Sequence, residues 1–192
     1  MDTEPTPGTS SEGLQRAKPL SKALMLYFYA QEIAHKVEGF YEKKGPGLGD
    51  RASADFMKKL RGAAEAAFGQ DYSERKACKK LGYRFDFYFP EERTVVEVAL
   101  GLHNPISEYE RDIFKCLLAR EEGIKIDRLC FICKPGGADQ QGAPGPSAIA
   151  SFVGKQFQLE VTLLDLMRGL SAADVLKRLK PSATQSPPTE RQ

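Results

Sequence analysis

The stretch LGYRFDFYFPEERTVVEVALG, residues 81–101, places one acid inside each of two runs that otherwise read as buried strand: Asp86 among phenylalanines and Glu97 among valines. Taking an unpaired carboxylate out of water costs several kcal/mol, a large part of a domain's net stability of roughly 5–15 kcal/mol. A chain that folds around this hairpin must bring a cation or a proton to both acids.

Counting residues fixes how the acids meet. With Glu91 and Glu92 as a two-residue loop, Pro90 faces Arg93, and counting back along both strands sets Asp86 directly opposite Glu97. Side chains alternate faces, so the two acids share one face while Phe85, Phe87 and Phe89 cover the other. Opposed Cβ atoms lie about 5 Å apart, close enough for carboxylates to repel unless one is protonated or a cation lies between them. A divalent metal bridging the pair solves this, and oxygen-only ligands suit Mg²⁺ or Mn²⁺. The simpler solutions are that Asp86 pairs with Arg84 or Arg111, or that Glu97 faces solvent on a strand edge.

The rest of the chain supplies one core. Its 192 residues are 41% hydrophobic and 28% charged, enough for a single domain over residues 18–180 between disordered tails at 1–17 and 181–192, which are rich in Pro, Ser, Thr and charge. A net charge of +2 gives no global bias toward nucleic acid or membrane. No apolar run approaches the roughly 20 residues of a membrane span, and residues 1–20 lack the apolar core of a secretory signal. The reading is a soluble, cytoplasmic protein. The four cysteines are scattered, and in CFIC, residues 130–133, strand alternation sends the two thiols to opposite faces. They are expected to be buried and inert.

Periodicity predicts a long helix up to Gly45-Pro46 with Leu26, Ala30, Ile33, Val37 and Tyr41 on one face. A second helix starts at Ser53 or Asp55 and stops near Gly69. The hairpin strands at 83–89 and 93–100 follow, then a helix over 108–122 with Ser107 as N-cap and Glu110 completing a capping box. The strand RLCFICK, a flexible loop PGGADQQGAPGPS, a short helical or irregular piece FVGKQ, the strand FQLEVTLLDL and a last helix capped by Ser171 complete the chain. This order implies an α/β fold, a mixed central β-sheet flanked by helices.

An Asp on one strand, a turn, VVEVALG on the next, then a helix containing YERDIFK and an apolar strand resemble the core of the PD-(D/E)xK nuclease superfamily over residues 80–135. The chain is most similar to type II restriction endonucleases of the BglII and BamHI kind. The resemblance implies a restriction-endonuclease-like core in which Asp86 and Glu97 are catalytic carboxylates that hold Mg²⁺ or Mn²⁺. The third catalytic position, usually Lys, Glu or Gln, is here Ala99. A cation from the following helix could replace it, either Lys115 or Arg111, which lie four residues apart on one helical row. Glu32 or Glu38 of the first helix could also reach the metal.

On that resemblance the substrate is double-stranded DNA, cut by in-line hydrolysis of a phosphodiester. Backbone affinity would come from Lys58, Lys59, Arg61, Arg75, Lys76, Lys79 and Lys80. A two-fold recognition site asks for a homodimer, with the first helix as candidate interface. Two alternatives stand beside the nuclease: a catalytically inactive nuclease-fold module that binds nucleic acid or protein, and a structural α/β domain in which the acids belong to an ion-pair network.

Overall fold

The computed structural model describes residues 20–42, 51–78, 81–100, 105–137, 139 and 142–179. The expected tails, Gly45-Pro46, Lys79 and Lys80 lie outside them. The elements are α1 (Lys22–Lys36), α2 (Arg51–Phe68), β1 (Ser73–Cys78), β2 (Tyr83–Phe89), a 3-10 turn at Pro90–Glu92, β3 (Thr94–Ala99), α3 (Pro105–Glu121), β4 (Arg128–Cys133), α4 (Pro144–Phe157), β5 (Glu160–Asp165) and α5 (Ala172–Leu179). The five strands form one mixed sheet in chain order. β1, β2 and β3 form an antiparallel meander, and β4 and β5 then add in parallel to β3. This is the expected α/β fold with a mixed central sheet flanked by helices.

Two apolar clusters sandwich the sheet. On one face α1, α2 and α5 pack Leu26, Phe56, Leu60 and Val175 against Phe87, Phe89, Val96 and Ile132. On the other, α3 and α4 pack Tyr109, Ile113, Cys116 and Val153 against Phe85, Val95, Leu129 and Phe131. Cys130 belongs to the first cluster and Cys133 to the second, so the CFIC thiols do part to opposite faces. All four cysteines are free and buried.

Several boundaries differ from the sequence reading for local reasons. Ser21 caps α1 by accepting a hydrogen bond from Leu24 N–H at 3.2 Å, but the helix ends at Lys36, well before Gly45. Val37 is already extended, and Gly39 follows at φ +68°, a left-handed conformation that suits glycine. α2 starts at Arg51, so Ser53 and Asp55 lie inside it, and it stops where Gly69 turns to φ +67°. α3 begins at Pro105, a residue preorganised for a first helical turn, which puts Ser107 inside the helix rather than at its cap. Ser171 does cap α5, accepting from Asp174 N–H at 3.2 Å.

Two elements depart from the sequence pattern. β1 carries Ser, Glu, Arg and Lys because it is a sheet edge, where charge discourages pairing with other chains. α4 occupies what reads as loop because Pro144, Gly145 and Pro146 are turn-forming residues, here placed in the first turn of a helix. Among the described residues no helix is long and apolar enough to cross a membrane.

α1 is tied to the far end of the chain. The fully buried Gln31 amide donates to Met167 O and Leu170 O at 2.7 Å each and accepts from Met167 N–H at 2.8 Å. Tyr27 Oη donates to Asp165 O at 2.7 Å.

Candidate metal and catalytic site

The hairpin register follows the count made from sequence. Phe89 faces Thr94, Tyr88 faces Val95 and Phe87 faces Val96; the regular pairing ends there, and Asp86 meets β3 through its N–H to Glu97 and its carboxylate to Val98 N–H. The loop itself differs: Pro90–Glu92 forms a 3-10 turn closed by Arg93 in the left-handed region, with Arg93 N–H donating to Pro90 O at 3.2 Å. Glu92 leaves the loop to accept from Lys22 N–H at 2.5 Å, where an acid complements the N-terminus of α1.

At Asp86 the strand changes phase. Strand alternation predicts that Phe85, Phe87 and Phe89 share a face, yet Phe85 belongs to the α3 cluster while Phe87 and Phe89 belong to the α1 cluster. The carboxylate explains the change, since Asp86 Oδ2 accepts from Val98 N–H at 2.8 Å and so takes a place in the ladder between β2 and β3. Asp86 N–H in turn donates to Glu97 Oε2 at 3.4 Å. Opposite Asp86 in β1, Glu74 sits at φ +50° and accepts from Arg61 of α2, whose guanidinium also lies 4.0 Å from Asp86 Oδ1. The acid is therefore built into a local break of the meander.

α3 brings the cation. Lys115 Nζ lies 2.8 Å from Glu97 Oε1 and 3.1 Å from Asp112 Oδ1, and the three side chains are only 5–8% exposed. The Phe85 ring lies beneath the ammonium, 5.7 Å from its centroid, a stacking that the phase change at Asp86 makes possible. Asp112 is held from outside by Arg111 at 3.4 Å.

Charge balance in this cluster is uneven. Burial pushes the Glu97 carboxyl above the usual range, with Asp86 and Asp112 adding to the shift and Lys115 opposing it. Burial also raises Asp86, against the Val98 N–H and Lys115, which favour its charge. Burial works to lower Lys115, but the Glu97 and Asp112 carboxylates outweigh it and hold the ammonium above its ordinary value. We therefore read Lys115 as charged, with a proton readily held on the carboxylate side.

Asp86, Glu97, Asp112 and Lys115 border a cavity of about 220 Å³, and Arg84, Arg111, Glu108 and the backbone from Val98 to Leu100 complete its wall. Ala99 is in that wall, so the expected third position faces the cavity without a functional group. Lys115 approaches from the neighbouring helix, and Arg111 sits at the same cavity on a more exposed part of that helix. Neither first-helix acid is there. Glu32 accepts from Ala172 N–H at 2.7 Å on the α1 face, fixing the start of α5, and Glu38 is exposed in the turn after α1. Of the simple partners expected for Asp86, Arg84 is in the wall but donates to Glu74 O at 3.2 Å.

Sequence reasoning missed Asp112 and Glu108. Both were visible in SEYERDIFK, where residues 108, 112 and 115 recur at helical spacing on one row. The motif asks that row for a cation, and the acids beside it carry no signal of their own.

The donor set fits a hard divalent ion. Every charged oxygen donor is a carboxylate: buried Glu97 and Asp112 and part-buried Asp86 face one buried ammonium, with the guanidiniums of Arg84 and Arg111 in the wall beside them. Among the described residues no group of three or more His, Cys, Asp or Glu is arranged as a metal shell, so a metal here would rely on two protein ligands, water and substrate oxygens. Comparison with known proteins finds no family model that matches the chain, and no curated protein or solved structure that matches it.

Proposed function

We propose that the protein is a divalent-metal-dependent endonuclease that hydrolyses phosphodiester bonds of double-stranded DNA. The observation that carries this reading is the convergence of Asp86, Glu97 and Lys115 on one open cavity whose acids outnumber its ammonium. The order of elements supports it: a hairpin carrying both acids, a crossover helix carrying the cation, and a parallel apolar strand, as the PD-(D/E)xK resemblance implies.

In this reading Asp86 and Glu97 hold Mg²⁺ or Mn²⁺. When bound, the metal polarises the scissile phosphate and lowers the pKa of a bound water. Lys115, kept protonated by Glu97 and Asp112, stabilises the negative charge that grows on phosphorus oxygens during in-line attack. Phe85 and the α3 backbone fix its position, so little reorganisation is needed when that charge appears. Arg84 and Arg111 at the wall would steady the flanking phosphates.

A homodimer belongs to this proposal, because symmetric sites are read by symmetric pairs. The apolar stripe of α1 is occupied within the chain's own core, so an interface through α1 would use its outward residues. A cytoplasmic setting suits four buried, free thiols.

Ala99 and the double ion pair of Lys115 favour a second reading, an inactive nuclease-fold module that binds nucleic acid or protein. One experiment separates the two. Purified protein is incubated with a panel of DNA duplexes and Mg²⁺ or Mn²⁺, beside Asp86→Asn. Fragments from the wild type alone support the nuclease. Binding without fragments supports the module, and absence of binding and cleavage defeats the nuclease and leaves the module only a protein partner.

A further inference from the structure

The β1–β2 ladder holds an unfavourable pair. Lys76 and Arg84 face each other directly in its register, both exposed, and directly opposed like charges destabilise a sheet. Among the described residues Lys76 makes no ion pair, and Arg84 donates only to a carbonyl, Glu74 O. Three described cations nearby are neutralised or tied to backbone: Lys59 pairs with Asp55, Arg61 with Glu74, and Arg75 donates to Asp71 O. The opposed pair stands beside the acidic cavity, since Arg84 forms part of the cavity wall.

We infer that Lys76 and Arg84 together grip the phosphodiester backbone of a nucleic acid as it enters the cavity. A polyanion laid across the pair converts a repulsion into two shared contacts, and it delivers the next phosphates past Arg84 toward Lys115. Such contacts set register on the substrate and carry no sequence information. The inference rests on the nuclease reading, and it names the edge over which that substrate arrives.

The test is salt-dependent binding of the full chain to labelled duplex DNA and to single-stranded RNA, in EDTA, read by fluorescence anisotropy. Every side chain that neutralises a phosphate steepens the fall of log affinity with log salt by about one. Lys76→Gln with Arg84→Gln should therefore reduce the slope by about two and weaken binding at low salt. Lys155→Gln, an exposed lysine on α4, should leave both unchanged. Each single variant should keep or raise the wild-type Tm, because the like-charge contact is removed, which shows that weakened binding is not misfolding. A reduced slope on either polymer supports the contact, and the tighter polymer identifies the source of the backbone. A double variant indistinguishable from Lys155→Gln overturns the inference, and cleavage by the wild type in that case leaves the nuclease reading standing. A wild type that neither binds nor cleaves either polymer overturns both.

Discussion

Lys115 Nζ lies 2.8 Å from Glu97 Oε1, and both side chains are almost wholly withdrawn from water. Removing one partner of such a pair leaves the other buried and uncompensated, which costs about 3–5 kcal/mol. Lys115→Met should therefore destabilise the fold by about 3 kcal/mol in urea unfolding, the lower figure because Glu97 can take up a proton. Combining it with Glu97→Gln should restore most of the loss. Simple additivity of the two substitutions would contradict this account of the cluster.

Stability should fall as pH rises from about 5 toward neutrality. Burial raises the Glu97 and Asp86 carboxyls in the folded chain, so the native state keeps protons that the unfolded state has already released. With more protons bound by the native than by the unfolded state, unfolding free energy decreases with pH. The contribution is fully present below the ordinary carboxylate pKa of about 4 and is lost as pH passes through the raised values. Glu97→Gln should flatten the profile, as measured by denaturant midpoints at a series of pH values.

Divalent metal should raise Tm as it saturates the site, reaching about 2.7 kcal/mol of added stability at a concentration of about 100 Kd. Asp86→Asn should lose most of that gain, together with any DNA cleavage. The same Tm at every Mg²⁺ and Mn²⁺ concentration would end the metal assignment.

Arg120 donates to Ile126 O, Phe157 O and Gln158 O, joining the end of α3 to the turn that leaves α4. A lysine carries the charge and three donors, but on one nitrogen, so it lacks the planar fork that reaches Phe157 O from Nη1 and Ile126 O and Gln158 O from Nη2. Arg120→Lys should cost about 2 kcal/mol through the carbonyls left unsatisfied, with faster amide exchange around Gln158. Unchanged exchange there would show that the guanidinium is dispensable.

The hairpin was legible in sequence because its register depends on a short loop and alternating residues, and replacing the expected two-residue turn by a 3-10 turn left the pairing intact. The move of Phe85 to the α3 face was not legible. It follows from a side chain, Asp86, entering the backbone ladder, which no side-chain alternation encodes. β1 was hidden because an edge strand with exposed Arg75 and Lys76 has the composition of a loop. Lys115 follows from helical spacing after the hairpin motif, whereas Asp112, which shares its ammonium, sits on the same row with nothing in the hairpin that calls for a third acid.

The Gln31 contacts bear on how the chain is made. α1 emerges from the ribosome early, but the partners of its buried amide lie at Met167 and Leu170, and Glu32 waits for Ala172. A nascent chain that includes α1, the meander and α3 offers the Gln31 amide only His35 of its own helix and leaves the Tyr27 hydroxyl without Asp165 O, which disfavours their burial. Locking of α1 must therefore wait for residues 165–172, long after the helix itself has been made. Chains stalled before residue 165 should show protease cleavage within α1 that vanishes in the full-length protein, and early protection of α1 would refute this order of assembly. A protein built this way is exposed to degradation within α1 until residues 165–172 have been made.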